Sequence, residues 1–232
     1  MLYLTKKPKN AVVIEAFPGF GLVGTIAVEF LIEHLKTEHI GRISLKEEIP
    51  LVAIHEGKLV ESMGVFYSKE YNIILIRSVN KITGQNFREL SEDFMKLEEE
   101  LEVKEFVSLE GVNSPAAGGD VFFFCKEKEK EKDYESLGIK PLKEGIILGT
   151  TAALLTCLKS ISGLFAETNS ELPDSKASAE LIKILDKRFS LKVDYQPLLD
   201  NAKKFENKLK QVIEKSRAAT DEQEKKKLNY VG

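Results

Sequence analysis

Residues 11–35, AVVIEAFPGFGLVGTIAVEFLIEHL, constrain the fold more than any other stretch of the chain. Residues 11–16 are short, apolar and partly β-branched, the pattern of a buried strand. Pro18, Gly19 and Gly21 then impose a tight turn. From Leu22 the spacing becomes helical: Val23, Ile26, Ala27, Phe30, Leu31 and Leu35 fall on one face, and Glu29, Glu33 and Lys36 on the other. Gly19, Gly21 and Gly24 match G-x-G-x-x-G, which in dinucleotide-binding proteins holds a pyrophosphate at a helix N-terminus. The same three glycines read equally well as a sharp turn followed by close packing of a helix on a sheet, with no ligand.

The rest of the chain repeats the alternation of strand and helix. Strands are expected at 42–45, 51–55, 58–60, 63–67, 71–76, 105–109, 121–125, 145–148 and 164–167. Phe87, Leu90, Phe94, Leu97 and Leu101 form an apolar stripe opposite acidic residues, which predicts a helix. Pro173-Asp174-Ser175 is a helix start with Asp174 as N-cap, and Gly149 opens another turn into a helix. A last helix begins near 194–197 and carries Leu198, Ala202, Phe205, Leu209 and Val212 as its stripe. Residues 126–133, KEKEKEKD, read as a solvated loop. The class is α/β, with a largely parallel or mixed sheet covered by helices on both faces in three layers. The expected division is an α/β core over 1–195, a helix over 196–217 that packs on the core or at an oligomer interface through Phe205, Leu209 and Val212, and a flexible tail over 218–232.

Composition narrows the function classes. With 34 basic and 37 acidic residues the formal net charge is −3, so no basic excess points to nucleic acid. No window approaches the roughly 20 apolar residues that span a bilayer, and the first residues lack a signal-peptide core, so a cytoplasmic protein without a membrane partner is expected. Cys125 and Cys157 lie in apolar runs and read as buried thiols.

Catalytic signatures are missing from the pattern. His34, His39 and His55 sit in unrelated contexts, with no H-x-x-H, H-E-x-x-H or C-x-x-C spacing, so no metal site and no cofactor are expected. No nucleophile elbow or P-loop is present. Two weaker arrangements stand beside these: Glu47 as the acidic partner of a Rossmann ribose, and Ser108, Glu110 and Ser114 near Gly118-Gly119 as a small anion site.

Taken together, residues 18–35 (PGFGLVGTIAVEFLIEHL) and 145–194 (GIILGTTAALLTCLKSISGLFAETNSELPDSKASAELIKILDKRFSLKVD) resemble the two blocks of the archaeal homologues of proteasome assembly chaperones. The resemblance implies an α/β fold similar to nucleoside phosphorylases and hydrolases, without a catalytic set. It implies a homo-oligomer that works by binding, with proteasome α-subunits or other protein clients as partners. Some members of that family dock a tail ending in hydrophobic-Tyr-X, which makes Leu228, Tyr230 and Val231 the partner-binding candidates. Here Tyr230 stands one place further from the carboxylate than that motif, and Asn229 occupies the hydrophobic position. The alternative reading is a nucleotide- or nucleoside-binding enzyme that uses Gly19, Gly21 and Gly24.

Overall fold

The computed structural model describes residues 1–46, 52–55, 57–114, 119–168 and 172–200, with 210, 211 and 214. Its centre is β2 (Val12–Ala16), paired in parallel with β7 (Ile73–Ser78) on one side and β8 (Glu105–Asn113) on the other. These strands are buried on both faces, so they read as near-continuous apolar runs rather than alternating ones. Beyond β8 lies β11 (Ile161–Thr168), also parallel.

Antiparallel strands extend this parallel set at both edges. On the β7 side, β6 (Met63–Ser68), β3 (Glu38–Ile43) and β1 (Leu2–Leu4) follow in turn. On the other, β9 (Val121–Cys125) runs antiparallel to β11, and β10 (Lys140–Pro141) adds a short parallel edge. The described sheet is therefore nine-stranded and mixed, with a separate hairpin of β4 (Val52–His55) and β5 (Lys58–Glu61).

Helices cover both faces. The helix α1 (Val23–His34) packs beside α5 (Ser175–Phe189) on one face, burying Ile26, Leu31, Leu181 and Leu185 against Ile14, Leu75 and Val107. On the opposite face α2 (Asn86–Leu101) turns the expected stripe of Leu90, Phe94, Leu97 and Leu101 onto Val13, Ile74 and Phe106. Beside it lies the short α4 (Thr150–Cys157), anchored by the buried Leu154. The three-layer α/β architecture expected from the alternation of elements is the one observed.

Three local readings change. Residues 126–133 are not a loop: Lys128–Ser136 is a helix, α3, held by the buried Tyr134, whose ring stacks on Phe123 at 5.2 Å. A single aromatic anchor supplies what an apolar stripe normally does. Residues 145–148 form no strand; Ile146 and Leu148 are 89% and 75% exposed. The strand expected at 42–45 runs instead over Glu38–Ile43, since Glu38 and His39 already pair with Tyr67 and Phe66 of β6 ahead of a bulge between His39 and Gly41. Of the cysteines, Cys125 is buried, and burial pushes its thiol up to about 11, whereas Cys157 is half-buried. The last helix is described as α6 (Gln196–Asp200). Phe205, Leu209, Val212 and the tail lie outside the described residues.

At its N-terminus α5 starts as expected: the Ala177 amide donates to Asp174 Oδ1 at 3.0 Å. Its C-terminus is tied to the sheet, where Arg188 donates to both oxygens of Glu105 at 2.9 and 2.7 Å and lies over the Tyr134 ring. Both partners are nearly buried, so this fork fixes where α5 lies on its face.

Two glycines of the opening turn explain how α1 comes so near the sheet. A Cβ on Gly24 would stand 2.1 Å from the Leu109 carbonyl oxygen, inside any tolerable contact, so the α1 backbone touches β8 directly. Gly21 has φ 59°, and a Cβ there would stand 2.9 Å from Thr168 Oγ1. The turn is pinned to α5 as well, since the Asp174 amide donates to the Gly21 carbonyl at 2.8 Å. Gly24→Ala should therefore lower stability by about 3 kcal/mol through overpacking, read as a lower urea midpoint. Gly145→Ala, with only Leu142 side-chain atoms at 3.5 Å or more, should stay within about 0.5 kcal/mol.

Candidate functional site

The chemistry-bearing residues gather where the parallel strands end. Glu15 on β2 is in register with Ser108 on β8. Side chains alternate along a strand, so Phe17 and Glu110 follow on the same face one layer further out. The α4 helix covers that face. Its first turn, entered through Gly149, brings Thr151 to 3.0 Å from Ser108, hydroxyl to hydroxyl. Ser108 also bonds the Glu15 carboxyl, and Thr151 bonds the Glu110 carboxyl. The result is a polar line, Glu15–Ser108–Thr151–Glu110, inside an otherwise apolar layer.

Burial dominates the electrostatics of this line. Glu15 is 1% exposed, and burial raises its carboxyl to about 8; the Ser108 bond opposes the rise and the charge of Glu110 adds to it. Glu110 is raised as well, again chiefly by burial and against the Thr151 bond. Glu15 is thus a neutral acid at pH 7. Its Oε1 and the Oε2 of Glu110 are buried without a hydrogen-bond partner.

Above this line a cavity of about 400 Å³ opens to solvent. It lies outside the carboxyl ends of β2, β7, β8 and β11, the place where α/β sheets hold ligands. Phe17, Phe20, Ile82 and Pro173 are among its walls, and its polar groups are Lys81, Glu110, Thr150, Thr151, Lys210 and Glu214. Exposed apolar side chains surround the mouth: Phe20, Leu148 and Leu172. A second cavity, about 420 Å³, lies between β1 and α2. Its charges already pair, Lys7 with Glu100 at 2.6 Å and Lys96 with Asp93 at 3.6 Å, so it makes no comparable demand.

Of the residues singled out in the sequence, Gly19 lines the cavity, and a Cβ there would stand 3.4 Å from Glu110 Oε1. A pyrophosphate on this turn would face a carboxylate. Gly21 and Gly24 point instead into contacts with α5 and β8. Ser108 and Glu110 share a face, but Ser114 does not join them; its hydroxyl donates to Glu167 at 2.9 Å. His34 stacks on Phe30, and His39 pairs with Glu61 at 2.8 Å, far apart in the fold. The side chain of His55, all of Glu47, and Leu228, Tyr230 and Val231 lie outside the described residues. Among the described residues no group of three or more His, Cys, Asp or Glu is placed to hold a metal ion. Sequence reasoning missed Glu15 and Thr151. The signal for Glu15 was one acid inside VVIEA; the role of Thr151 needs the tertiary contact.

The raised Glu15 carboxyl makes stability depend on pH. Between about 4.5 and 8 the native state keeps a proton that the unfolded chain has released, so stability falls as pH rises through that window and levels above it. Glu15→Gln should remove this slope. Measured by urea unfolding at pH 5, 7 and 8.5, the wild type should lose on the order of 4 kcal/mol that the variant keeps.

Comparison with known proteins agrees with this architecture. The uncharacterized protein MJ0106 of Methanocaldococcus jannaschii is 32% identical over 213 residues, 89% of this chain and 87% of that protein. The crystal structure of Pyrococcus furiosus PbaA, an archaeal homolog of proteasome-assembly chaperone, matches with TM-score 0.84 and 28% identity over 95% of this chain and 99% of its own. Pyrococcus furiosus PbaB, an archaeal proteasome activator, shares the fold at TM-score 0.74 and 20% identity, covering 91% of this chain and 98% of its own. Among the described residues no helix is long and apolar enough to cross a membrane. The model of the PAC2 family matches residues 13–213, and with that span and the 32% identical relative the chain belongs to the PAC2 family.

Proposed function

We propose that this protein is a non-enzymatic homologue of the proteasome assembly chaperones: copies of it associate in the cytoplasm, and the assembly binds proteasome α-subunits or other protein clients. The likeness to PbaA over 95% of the chain carries the reading. The surface chemistry supports it. Phe20, Ile146, Leu148 and Leu172 are exposed apolar side chains around one end of the sheet, a face suited to protein contact. On this reading Phe205, Leu209 and Val212 contribute to self-association. Leu228, Tyr230 and Val231 add a tail contact, repeated once per subunit, so several weak contacts act together.

Purified α-subunits, probed with the full chain and with a chain lacking residues 218–232, test the proposal. The full chain should retain α-subunits and sediment as an oligomer, and the truncated chain should bind about tenfold more weakly through lost avidity. Leu148→Asp, at an exposed position that leaves the core intact, should weaken binding by a similar factor. A monomer that retains no α-subunit in either form contradicts it.

A further inference from the structure

The polar line under α4 has more contacts than hydroxyl hydrogens. Three contacts run along it: Glu15 to Ser108, Ser108 to Thr151 at 3.0 Å, and Thr151 to Glu110. Ser108 and Thr151 bring one hydrogen each, and an ionised carboxylate brings none. All three contacts are hydrogen bonds at once only when a carboxyl group supplies the third hydrogen. Glu15 is the group suited to hold it, being 1% exposed, whereas Glu110 stands at the cavity wall. The O–H of Glu15 then donates to Ser108, Ser108 to Thr151, and Thr151 to Glu110. Ionisation of Glu15 turns Ser108 toward the new carboxylate. The one hydrogen of Thr151 then serves Ser108 or Glu110, not both, and the charges of Glu15 and Glu110 repel across a buried layer.

The helix that this line holds is lightly anchored at its start. Its first turn is entered through the exposed Ile146 and Leu148 and through Gly149, which has φ 77° and open space where a Cβ would stand. Its far end is tied separately: Leu154 and Leu158 are fully buried, and Lys126 donates to the carbonyls of Leu155 and Leu158 at 3.2 and 2.6 Å. Thr151 is thus the link between the first turn and β8.

We propose that α4 is a proton-held latch: the carboxyl hydrogen of the Glu15–Ser108–Thr151–Glu110 line ties its first turn to the sheet, and loss of that hydrogen lets the turn lift about Gly149. Gly149, Thr150 and Thr151 line the cavity, so a lifted turn widens it and admits water to Ser108 and Glu15. Burial holds the Glu15 carboxyl up to about 8, and hydration returns it toward 4.5, so each opening within that window releases a proton. Opening therefore becomes more favourable as pH rises from about 5 to 8 and levels above. On this face β7 presents Ile74 and Ile76, α2 presents Leu90 and Phe94, and α4 adds Leu154 beside Thr151. The charge that reaches Glu15 is that of Glu110 on β8. Asp93 of α2 is engaged instead by the Met1 amino group at 2.7 Å and by Lys96 at 3.6 Å, and Lys81 is exposed at the cavity wall. The latch neither requires proteasome binding nor follows from it.

Native-state hydrogen exchange of Ala153, Leu154 and Leu155, divided by the intrinsic rates, tests this at pH 5.5, 6.5 and 7.5 in low urea. These amides should open with a weaker urea dependence than Val107 to Leu109 of β8, and their opening constant should rise by up to tenfold per pH unit. Glu15→Gln, whose amide N–H replaces the acid O–H, should flatten that rise with unchanged circular dichroism. Thr151→Val, which keeps the shape and removes the hydroxyl, should raise α4 opening about tenfold at pH 5.5. Opening of α4 with the urea dependence of β8, an opening constant indifferent to pH, a pH dependence that survives Glu15→Gln, or no effect of Thr151→Val would each overturn the latch. If either variant fails to fold, the pH and urea dependence of the wild-type α4 amides decides the matter.

Discussion

Direct contact between the backbone of α1 and the backbone of β8 is the constraint on which the rest of this structure depends. Helices normally rest on sheets through interleaved side chains, with about 10 Å between layers. Here Gly24 has no side chain to interpose, and the Leu109 carbonyl occupies the space a methyl group would need. Gly111 makes the companion approach, its missing Cβ lying 2.2 Å from the Phe20 carbonyl oxygen. The opening turn is thereby seated on β8 at two points. The bond from the Asp174 amide to Gly21 then brings the start of α5 to the same place. Strand, turn and two helices form one interlocked body at the carboxyl end of the sheet.

That interlocking also shapes the cavity. Because β8 and β11 pair on through Asn113 and Thr168, beyond the point where β2 ends at Ala16, they rise as a wall past the central strand. Glu110 stands on that wall and Glu15 lies one layer below, with α4 closing the side. The position that a dinucleotide fold uses for phosphate is thus faced by a carboxyl group. A shared strand–turn–helix does not carry a shared ligand with it; the site's own residues decide that. The chain belongs to the PAC2 family and shares the fold of PbaA, and apolar residues stand at the mouth of the cavity.

Much of the framework was legible before the structure was seen. Residues 11–35 give β2, a turn and α1 because a short, near-continuous apolar run is broken by Pro18, Gly19 and Gly21 and followed from Leu22 by apolar residues spaced three and four apart. The stripe of α2 and the Asp174 cap of α5 are likewise local features, readable from spacing alone. The misreadings share one cause: each depends on a contact distant in the chain. KEKEKEKD carries no stripe, and α3 forms there because Tyr134 finds Phe123 and the Glu105–Arg188 pair. GIIL has the composition of a buried strand, yet no neighbour in the sheet takes it up, and Ile146 and Leu148 face solvent. At the candidate site, Glu110 was noticed beside a glycine-rich loop, but its coupling to Glu15 through Ser108 and Thr151 exists only once β2, β8 and α4 are together.

Native-state hydrogen exchange tests the central claim most directly, because backbone contact between α1 and β8 leaves no room for either to open alone. Amides of Ile26 to Leu31 and of Val107 to Leu109 should exchange with one common opening free energy, equal to that of global unfolding and with the same dependence on urea. Exchange of the α1 amides at a markedly lower free energy, while β8 stays protected, would contradict the account.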